Sequence, residues 1–153
     1  MPKIDLDQAP AHTGTSYPEP FASRVGDIRR VQLGDAVGLT QFGVNLTTLA
    51  PGRVSSVRHW HEHEDELVFI VEGEVVLIEE GAETVLRAGD AAGFKAGVAN
   101  GHHLENRSDS PARFLEIGHR AETEIGHYPD DDLAYAKDAN GRGFTRKDGS
   151  SFD

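Results

Sequence analysis

Short apolar runs that alternate with polar positions dominate the centre of the chain. In residues 40–49, Phe42, Val44 and Leu46 alternate with glycine, asparagine and threonine, which is the period of two that gives a β-strand one apolar face. Similar runs follow at residues 55–61, 66–72, 74–80, 83–87, 90–94, 102–106 and 112–118, and nothing between them has a helical period. The pattern therefore predicts an all-β fold.

The links between these runs are short and mostly contain glycine or polar residues. Many short antiparallel strands favour a sandwich or barrel, because closure removes exposed sheet edges. A chain of 153 residues suits one ordinary domain. Within a single domain we expect an N-terminal arm with the first strands at residues 1–39, a barrel at 40–120 and a C-terminal arm at 121–153.

Both ends of the chain are polar but carry apolar anchors. Residues 1–22 contain four prolines, and we expect this segment to lie over the barrel. The C-terminal stretch also allows a short helical turn at residues 132–137. We expect this stretch to dock through the anchors Tyr128, Leu133, Tyr135, Phe144 and Phe152.

The charge balance disfavours several classes of partner. The chain has 26 acidic and 15 basic residues and a formal charge of -11, which repels nucleic acid and anionic membranes in the absence of a basic patch. No run reaches the ~18–20 apolar residues of a membrane span, and no signal peptide is evident. We therefore expect a cytoplasmic protein. Because there are no cysteines, any metal must be bound by histidine or oxygen ligands.

Candidate metal ligands concentrate around residues 59–66. His59 and His61 are two positions apart, so both side chains point to the same face of a strand. Glu66 follows a polar turn and can face back towards them, and a barrel could bring His102 to the same interior point. Three imidazoles and one carboxylate suit a divalent ion such as Fe, Mn, Ni, Co or Zn. An octahedral ion would keep open positions for a substrate or oxygen.

Two alternatives compete with this assignment. A lone His-x-His pair is more often a pair of partly exposed strand residues, but Glu66 and His102 favour the metal interpretation. His63 has the same spacing from His61 as His59 does. With His63 as a ligand, however, Glu66 would lie only three positions away and the spacing of the set would shift, so we expect His63 to be a loop histidine.

The same residues resemble the two sequence motifs of the cupin superfamily. The first motif is matched by Gly52, six residues, His59-Trp60-His61, four residues, Glu66, six residues and Gly73. The second is matched by Gly89, five residues, Lys95-Ala96-Gly97, four residues, His102, three residues and Asn106. The resemblance covers residues 40–117 and departs from the family in two ways. Lys95 replaces the usual proline, and two extra residues precede the histidine, which leaves His103 as an alternative to His102.

The resemblance implies a small double-stranded β-helix, or jelly-roll barrel, usually found as a homodimer. It also implies that one divalent transition metal is bound by His59, His61, Glu66 and His102. Cupins include dioxygenases, decarboxylases, sugar-phosphate isomerases, lyases and non-catalytic binding proteins, so the fold alone does not define a reaction.

Two functions of different class remain. We expect a metal-dependent enzyme that acts on a small organic acid or sugar-like substrate, with oxidation or decarboxylation ahead of isomerisation. The alternative is a non-catalytic protein that binds or senses a small molecule, with a metal that is structural or orients the ligand. The absence of a clear general base favours this alternative.

Several other residues have an expected place. Lys95 could pair with an anionic substrate, although a surface lysine is the more common case. Glu116 shares its strand face with Phe114 and could act as a base if that face looks inward, but we expect an ordinary exposed strand carboxylate. Asn106 is expected to fix a strand end by hydrogen bonding. Two residues next to the histidines should face away from the site: Arg58 and Trp60.

Overall fold

The computed structural model describes residues 3–153, so the first two residues of the expected N-terminal arm lie outside the described part. The N-terminal region contains β1 (Ala11–Thr13), α1 (Phe21–Val25), β2 (Arg29–Gln32) and α2 (Leu33–Ala36). The central strands are β3 (Phe42–Leu49), β4 (Trp60–His61), β5 (Glu66–Glu72), β6 (Glu74–Glu79), β7 (Ala82–Arg87), β8 (Ala91–Phe94), β9 (His103–Glu105) and β10 (Ala112–His119). The C-terminal strands are β11 (Glu124–His127), β12 (Ala134–Asp138) and β13 (Gly141–Thr145).

The strands form three antiparallel sheets. The largest has the order β1-β2-β3-β10-β5-β8, and the others have the orders β13-β12-β11-β4 and β7-β6-β9. The six-stranded and three-stranded sheets share one core, since buried residues of both belong to a single cluster. Its members are Ile28, Leu49, Val68, Ile70, Val75, Leu77, Leu86, Leu104, Ala112 and Phe114. The predicted all-β class is confirmed.

A second, smaller cluster joins the two ends of the chain. Phe21 and Val25 of α1 pack with Val57, Tyr128 and Leu133. Around them lie the partly buried side chains of Tyr17, Val54, Tyr135, Phe144 and Phe152. The aromatic and aliphatic anchors of the C-terminal stretch therefore pack against α1 and against the loop that precedes His59.

Strand register arranges the inward-facing side chains of the large sheet in layers. The first layer contains Glu66 on β5, paired with Phe94 and with Gly118, which in turn pairs with Gly43. The second layer contains Val68, Ala92, Glu116, Asn45 and Gln32. The third layer contains Ile70, Phe114, Thr47 and Arg30. Phe114 and Thr47 are fully buried, which identifies this face as the interior.

The predicted strands agree with the structure except at two segments. Residues 55–61 form a strand only at Trp60–His61, because the preceding part meets its neighbours through isolated bridges at Val54 and His59 instead of a continuous ladder. Residues 132–137, for which the sequence allowed a short helical turn, do not form one. That segment contains β12, whose backbone pairs with β11 on one side and with β13 on the other. Within the described residues, no helix is long and apolar enough to cross a membrane.

Candidate metal centre

Two loop ends and two strands bring the four predicted ligands together. His61 lies on β4 and Glu66 begins β5, on the far side of the turn between them. His59 and His102 face each other across an isolated bridge, in which each backbone N–H donates to the carbonyl of the other residue, at 3.2 and 2.9 Å. This bridge joins segments that are far apart in sequence, and it places both imidazoles on the side of Glu66.

The ring nitrogens converge on the Glu66 carboxylate. His102 Nε2 lies 2.9 Å from Glu66 Oε2, and His61 Nε2 lies 3.3 Å from Oε1. His59 Nε2 is 3.8 Å from Oε2. Candidate ligand atoms of His59, His61 and Glu66 all lie within 4.8 Å of one another, a spacing that could hold one metal ion.

The two alternative histidines lie elsewhere. His103 Nε2 is 3.0 Å from Glu105 Oε1, so its ring pairs with a residue of its own strand instead of Glu66. His63 is exposed in the turn between β4 and β5. The structure therefore brings His102 to the cluster and leaves both alternatives outside it.

In two of the histidines, the ring nitrogen that faces away from Glu66 contacts a backbone carbonyl oxygen. His59 Nδ1 lies 2.8 Å from the Val57 carbonyl oxygen, and His102 Nδ1 lies 3.3 Å from that of Asn100. In a metal-bound form, a neutral imidazole that donates from Nδ1 would offer the electron pair of Nε2 to the ion in place of a proton. These contacts orient both rings with Nε2 towards the centre.

Behind the third ring lies a carboxylate that the sequence analysis did not single out. Glu124 has a side chain with 0% exposure, and one of its oxygens is 3.8 Å from His61 Nδ1. The same carboxylate accepts hydrogen bonds from the backbone N–H groups of Glu62, His63 and Ile125. No sequence signal marked it, since its role depends on the pairing of β11 with β4.

Burial and charge set the protonation of the cluster. Burial lowers the pKa of His59 to about 4, so this ring is neutral near pH 7. Burial disfavours ionisation of Glu66, but the hydrogen bonds of His102 and His61 outweigh that effect and hold the pKa of Glu66 well below its usual range. A neutral ring and an ionised carboxylate are the forms that bind a cation. The donor set therefore fits a divalent transition metal.

A cavity of about 210 Å³ reaches the cluster from outside. Its lining includes His61, His102, Phe94 and Lys95. The Phe94 ring stacks on His102 with the centroids 3.5 Å apart. Lys95 is exposed, as expected for a surface lysine, and it also belongs to the wall of this cavity.

The expectation for Glu116 is wrong. Its side chain faces the interior in the second layer, is 26% exposed and receives a hydrogen bond of 3.0 Å from Arg30 Nε. The physical reason is the register of β10, which gives Glu116 the same face as the fully buried Phe114. No local sequence pattern pointed to Arg30, whose partner lies 86 positions away along the chain.

Three further expectations agree with the structure. Asn106 is buried and donates from Nδ2 to the carbonyls of Leu49 and Ser110, at 2.8 and 2.9 Å. Arg58 faces away from the cluster and pairs with Asp130 at 2.6 Å. Trp60 also faces away, and its ring stacks on His127 with the centroids 4.2 Å apart.

Comparison with known proteins identifies the family. The model of the cupin domain matches residues 45–118. A sugar phosphate isomerase of the cupin superfamily from Silicibacter pomeroyi is 45% identical, with 99% of this chain and 97% of that chain covered and a TM-score of 0.94. The chain belongs to the cupin superfamily, which confirms the resemblance seen in its motifs.

Two other solved structures share the fold. A candidate sugar phosphate isomerase from Acidithiobacillus ferrooxidans is 26% identical, with 83% of this chain and 81% of that chain covered and a TM-score of 0.75. A predicted oxalate decarboxylase from Thermotoga maritima is 21% identical, with 78% and 99% covered and a TM-score of 0.62, and this similarity shows the fold alone. No curated protein sequence matches the chain.

Proposed function

We propose that this cupin is a metal-dependent isomerase of phosphorylated sugars. The observation that carries the proposal is the convergence of three imidazole nitrogens on the Glu66 carboxylate. The relative that is 45% identical over nearly the whole chain is described as a sugar phosphate isomerase, and this favours isomerisation over the oxidation and decarboxylation that ranked first from sequence.

The reaction needs no oxidant or organic cofactor. Conversion of an aldose to a ketose moves one proton between adjacent carbons and exchanges the carbonyl and hydroxyl positions. A divalent ion held by His59, His61, Glu66 and His102 would supply Lewis-acid polarisation of the substrate oxygens. Fe, Mn, Ni, Co and Zn all suit this donor set.

Lys95 supports an anionic substrate. Its position lines the cavity that reaches His61 and His102, and the chain as a whole carries a formal charge of -11. A cation at the cavity wall gives a phosphate group a local partner on a protein whose net charge would otherwise repel it. We assign the phosphate end of the substrate to this wall.

The test begins with protein purified without chelator or immobilised nickel. Its metal content is measured, and the protein loaded with each ion is incubated with triose, tetrose, pentose and hexose phosphates and with the unphosphorylated sugars. We expect ketose phosphate from one aldose phosphate, and no product from the His61→Ala variant. Binding without turnover would instead support the non-catalytic alternative. Release of carbon dioxide would support decarboxylation, and uptake of oxygen would support oxidation.

We also propose that the chain forms a homodimer through the outward face of the six-stranded sheet. Leu67, Phe69 and Val71 alternate with the buried side chains of β5 and remain 42%, 39% and 44% exposed, and Phe42 on β3 is 42% exposed. Leu115 and Ile117 on β10 lie between these strands on the same face. A contiguous apolar surface of this kind is typical of a protein interface, and a second copy offers a face of the same chemistry.

A further inference from the structure

A second charged group lies inside the barrel beside the candidate metal centre. Arg30 on β2 and Glu116 on β10 form an ion pair with Nε 3.0 Å from Oε2. Their side chains are 23% and 26% exposed, so they are shielded but still reachable from solvent. Arg30 also donates from Nη2 to the Ser55 carbonyl oxygen at 3.2 Å, which ties its guanidinium to the loop that leads to His59.

Register places Glu116 next to the predicted metal ligand Glu66. Glu116 pairs with Val68, and the following inward position, Gly118, pairs with Glu66. Diagonal neighbours on one sheet face are about 7–8 Å apart, a distance that a short carbon chain can span. The fully buried Phe114 lies on the other side of Glu116, so the carboxylate lies between the apolar core and the candidate metal centre.

Beside Glu66, β10 carries no side chain at Gly118, whereas on β3 the Arg120 guanidinium covers Gly43, with Nε 3.5 Å from an added methyl group. Gly118 and Gly43 occupy the first layer on β10 and β3. A methyl group at Gly118 would meet only the Asp65 carbonyl oxygen at 3.7 Å and Glu66 Cγ at 3.9 Å. A depression of about 840 Å³ lies at this edge of the sheet, and its lining includes Glu66 and Gly118 together with the outward-facing Phe42, Leu67 and Ile117. Because the side chains of Glu66 and Glu116 are 31% and 26% exposed, a small molecule can reach the space at Gly118 between them.

The ion pair leaves one carboxylate oxygen available. Glu116 Oε2 receives the hydrogen bond from Arg30 Nε, and among residues 3–153 no hydrogen bond reaches Oε1. Replacement of a buried ion pair by apolar residues of similar volume is often neutral or stabilising, so stability alone does not explain this pair. A carboxylate oriented through one oxygen and free at the other has the arrangement of a general base.

We propose that Glu116 is the catalytic base of the isomerisation and that Arg30 is its positioning residue; this inference rests on the proposed function. Oε1 removes the proton from C2 of the aldose, the C2–H electron pair forms the C1=C2 bond, and the C1 carbonyl pair moves to O1. The Glu116 carboxyl group exchanges this proton with solvent and then donates a proton to C1, while the O2 hydroxyl proton passes to O1 and the C2 carbonyl forms. Atoms and electrons are conserved in these steps, and the reaction needs no oxidant, reductant or other co-reactant.

The principal test compares Glu116→Gln with Glu72→Gln in D₂O. Glu72 is the matched control, because it forms an ion pair with Arg113 between the same two strands, β5 and β10, but is 65% exposed. We expect kcat of Glu116→Gln to fall by about 10²–10⁴-fold, with metal content and Tm unchanged. Deuterium should enter the product at C1 with wild type and with Glu72→Gln. Arg30→Lys should retain more kcat than Arg30→Met at similar KM.

The outcomes separate the two proposals. Full activity of Glu116→Gln alongside an active wild type would overturn the base assignment and leave the isomerase assignment intact. A wild-type protein that converts no aldose phosphate would overturn both. Should Glu116→Gln fail to fold, Gly118→Val retains both charged residues and fills the space at this position. We expect it to raise KM at least tenfold, and an unchanged KM would overturn the placement of the substrate.

Discussion

His61 Nδ1 lies 3.8 Å from Oε1 of Glu124, a carboxylate with no solvent exposure. Among the described residues His61 Nδ1 is a buried atom with no hydrogen-bond partner, so Glu124 is the anionic group placed to orient this ring. Carboxylates behind metal-bound histidines raise the basicity of the ligand and fix its tautomer.

Glu124→Gln should therefore weaken metal binding by about 10–100-fold. The amide still offers an oxygen to the backbone N–H groups of Glu62 and Ile125, so the fold should persist. Competition with a chromophoric chelator measures the change in Kd. Glu122→Gln, an exposed neighbour, is the matched control. Equal metal affinity in both variants would show that Glu124 serves only the backbone of the turn.

His102 and His103 give a sharper test of the predicted ligand set. His102 Nε2 contacts Glu66 at 2.9 Å, whereas His103 Nε2 contacts Glu105 at 3.0 Å. We expect His102→Ala to lose most of its bound metal and His103→Ala to retain it, as measured by elemental mass spectrometry on protein with a native circular dichroism spectrum. Metal loss in His103→Ala alone would reverse the assignment.

Much of this structure could be predicted from local pattern. The alternation of Phe42, Val44 and Leu46 is enough to place β3, because the period of two is a property of the strand itself. The spacing of His61 and Glu66 likewise needs only one short strand, one turn and the start of the next strand. These features depend on residues that are close in sequence.

The remaining features depend on pairing between distant segments. Whether Glu116 faces inward is decided by β3 and β5, which pair with β10 on either side. Glu124 reaches His61 only because β11 pairs with β4. Residues 132–137 have no clear period of their own, and their strand follows from pairing with β11 and β13. No local pattern contains this information.

Asn106 offers a prediction on stability. It is 1% exposed, and its Nδ2 donates to the carbonyl oxygens of Leu49 and Ser110. Asn106→Ala leaves these buried acceptors without their partner, which should lower the free energy of unfolding by roughly 1–3 kcal/mol. Urea unfolding measures the loss. The exposed Asn140→Ala should change stability by less than about 0.5 kcal/mol, and an equal effect in both variants would contradict the structural role.

The proposed dimer can be tested on the outward face of the large sheet. Phe69 is 39% exposed and lies at the centre of the apolar surface, opposite Leu115 of β10 and next to the exposed Leu67 and Val71. A charge at this position would be buried without a partner in an interface between two copies. Phe69→Glu should therefore shift the mass measured by light scattering at micromolar concentration from dimer to monomer. Val85→Glu is the matched control, because Val85 is 42% exposed but lies on β7 of the three-stranded sheet. A monomeric wild-type protein would contradict the proposed dimer. A dimer that persists in Phe69→Glu would show that this face is not the interface, because each copy would then carry a charge at the centre of the face.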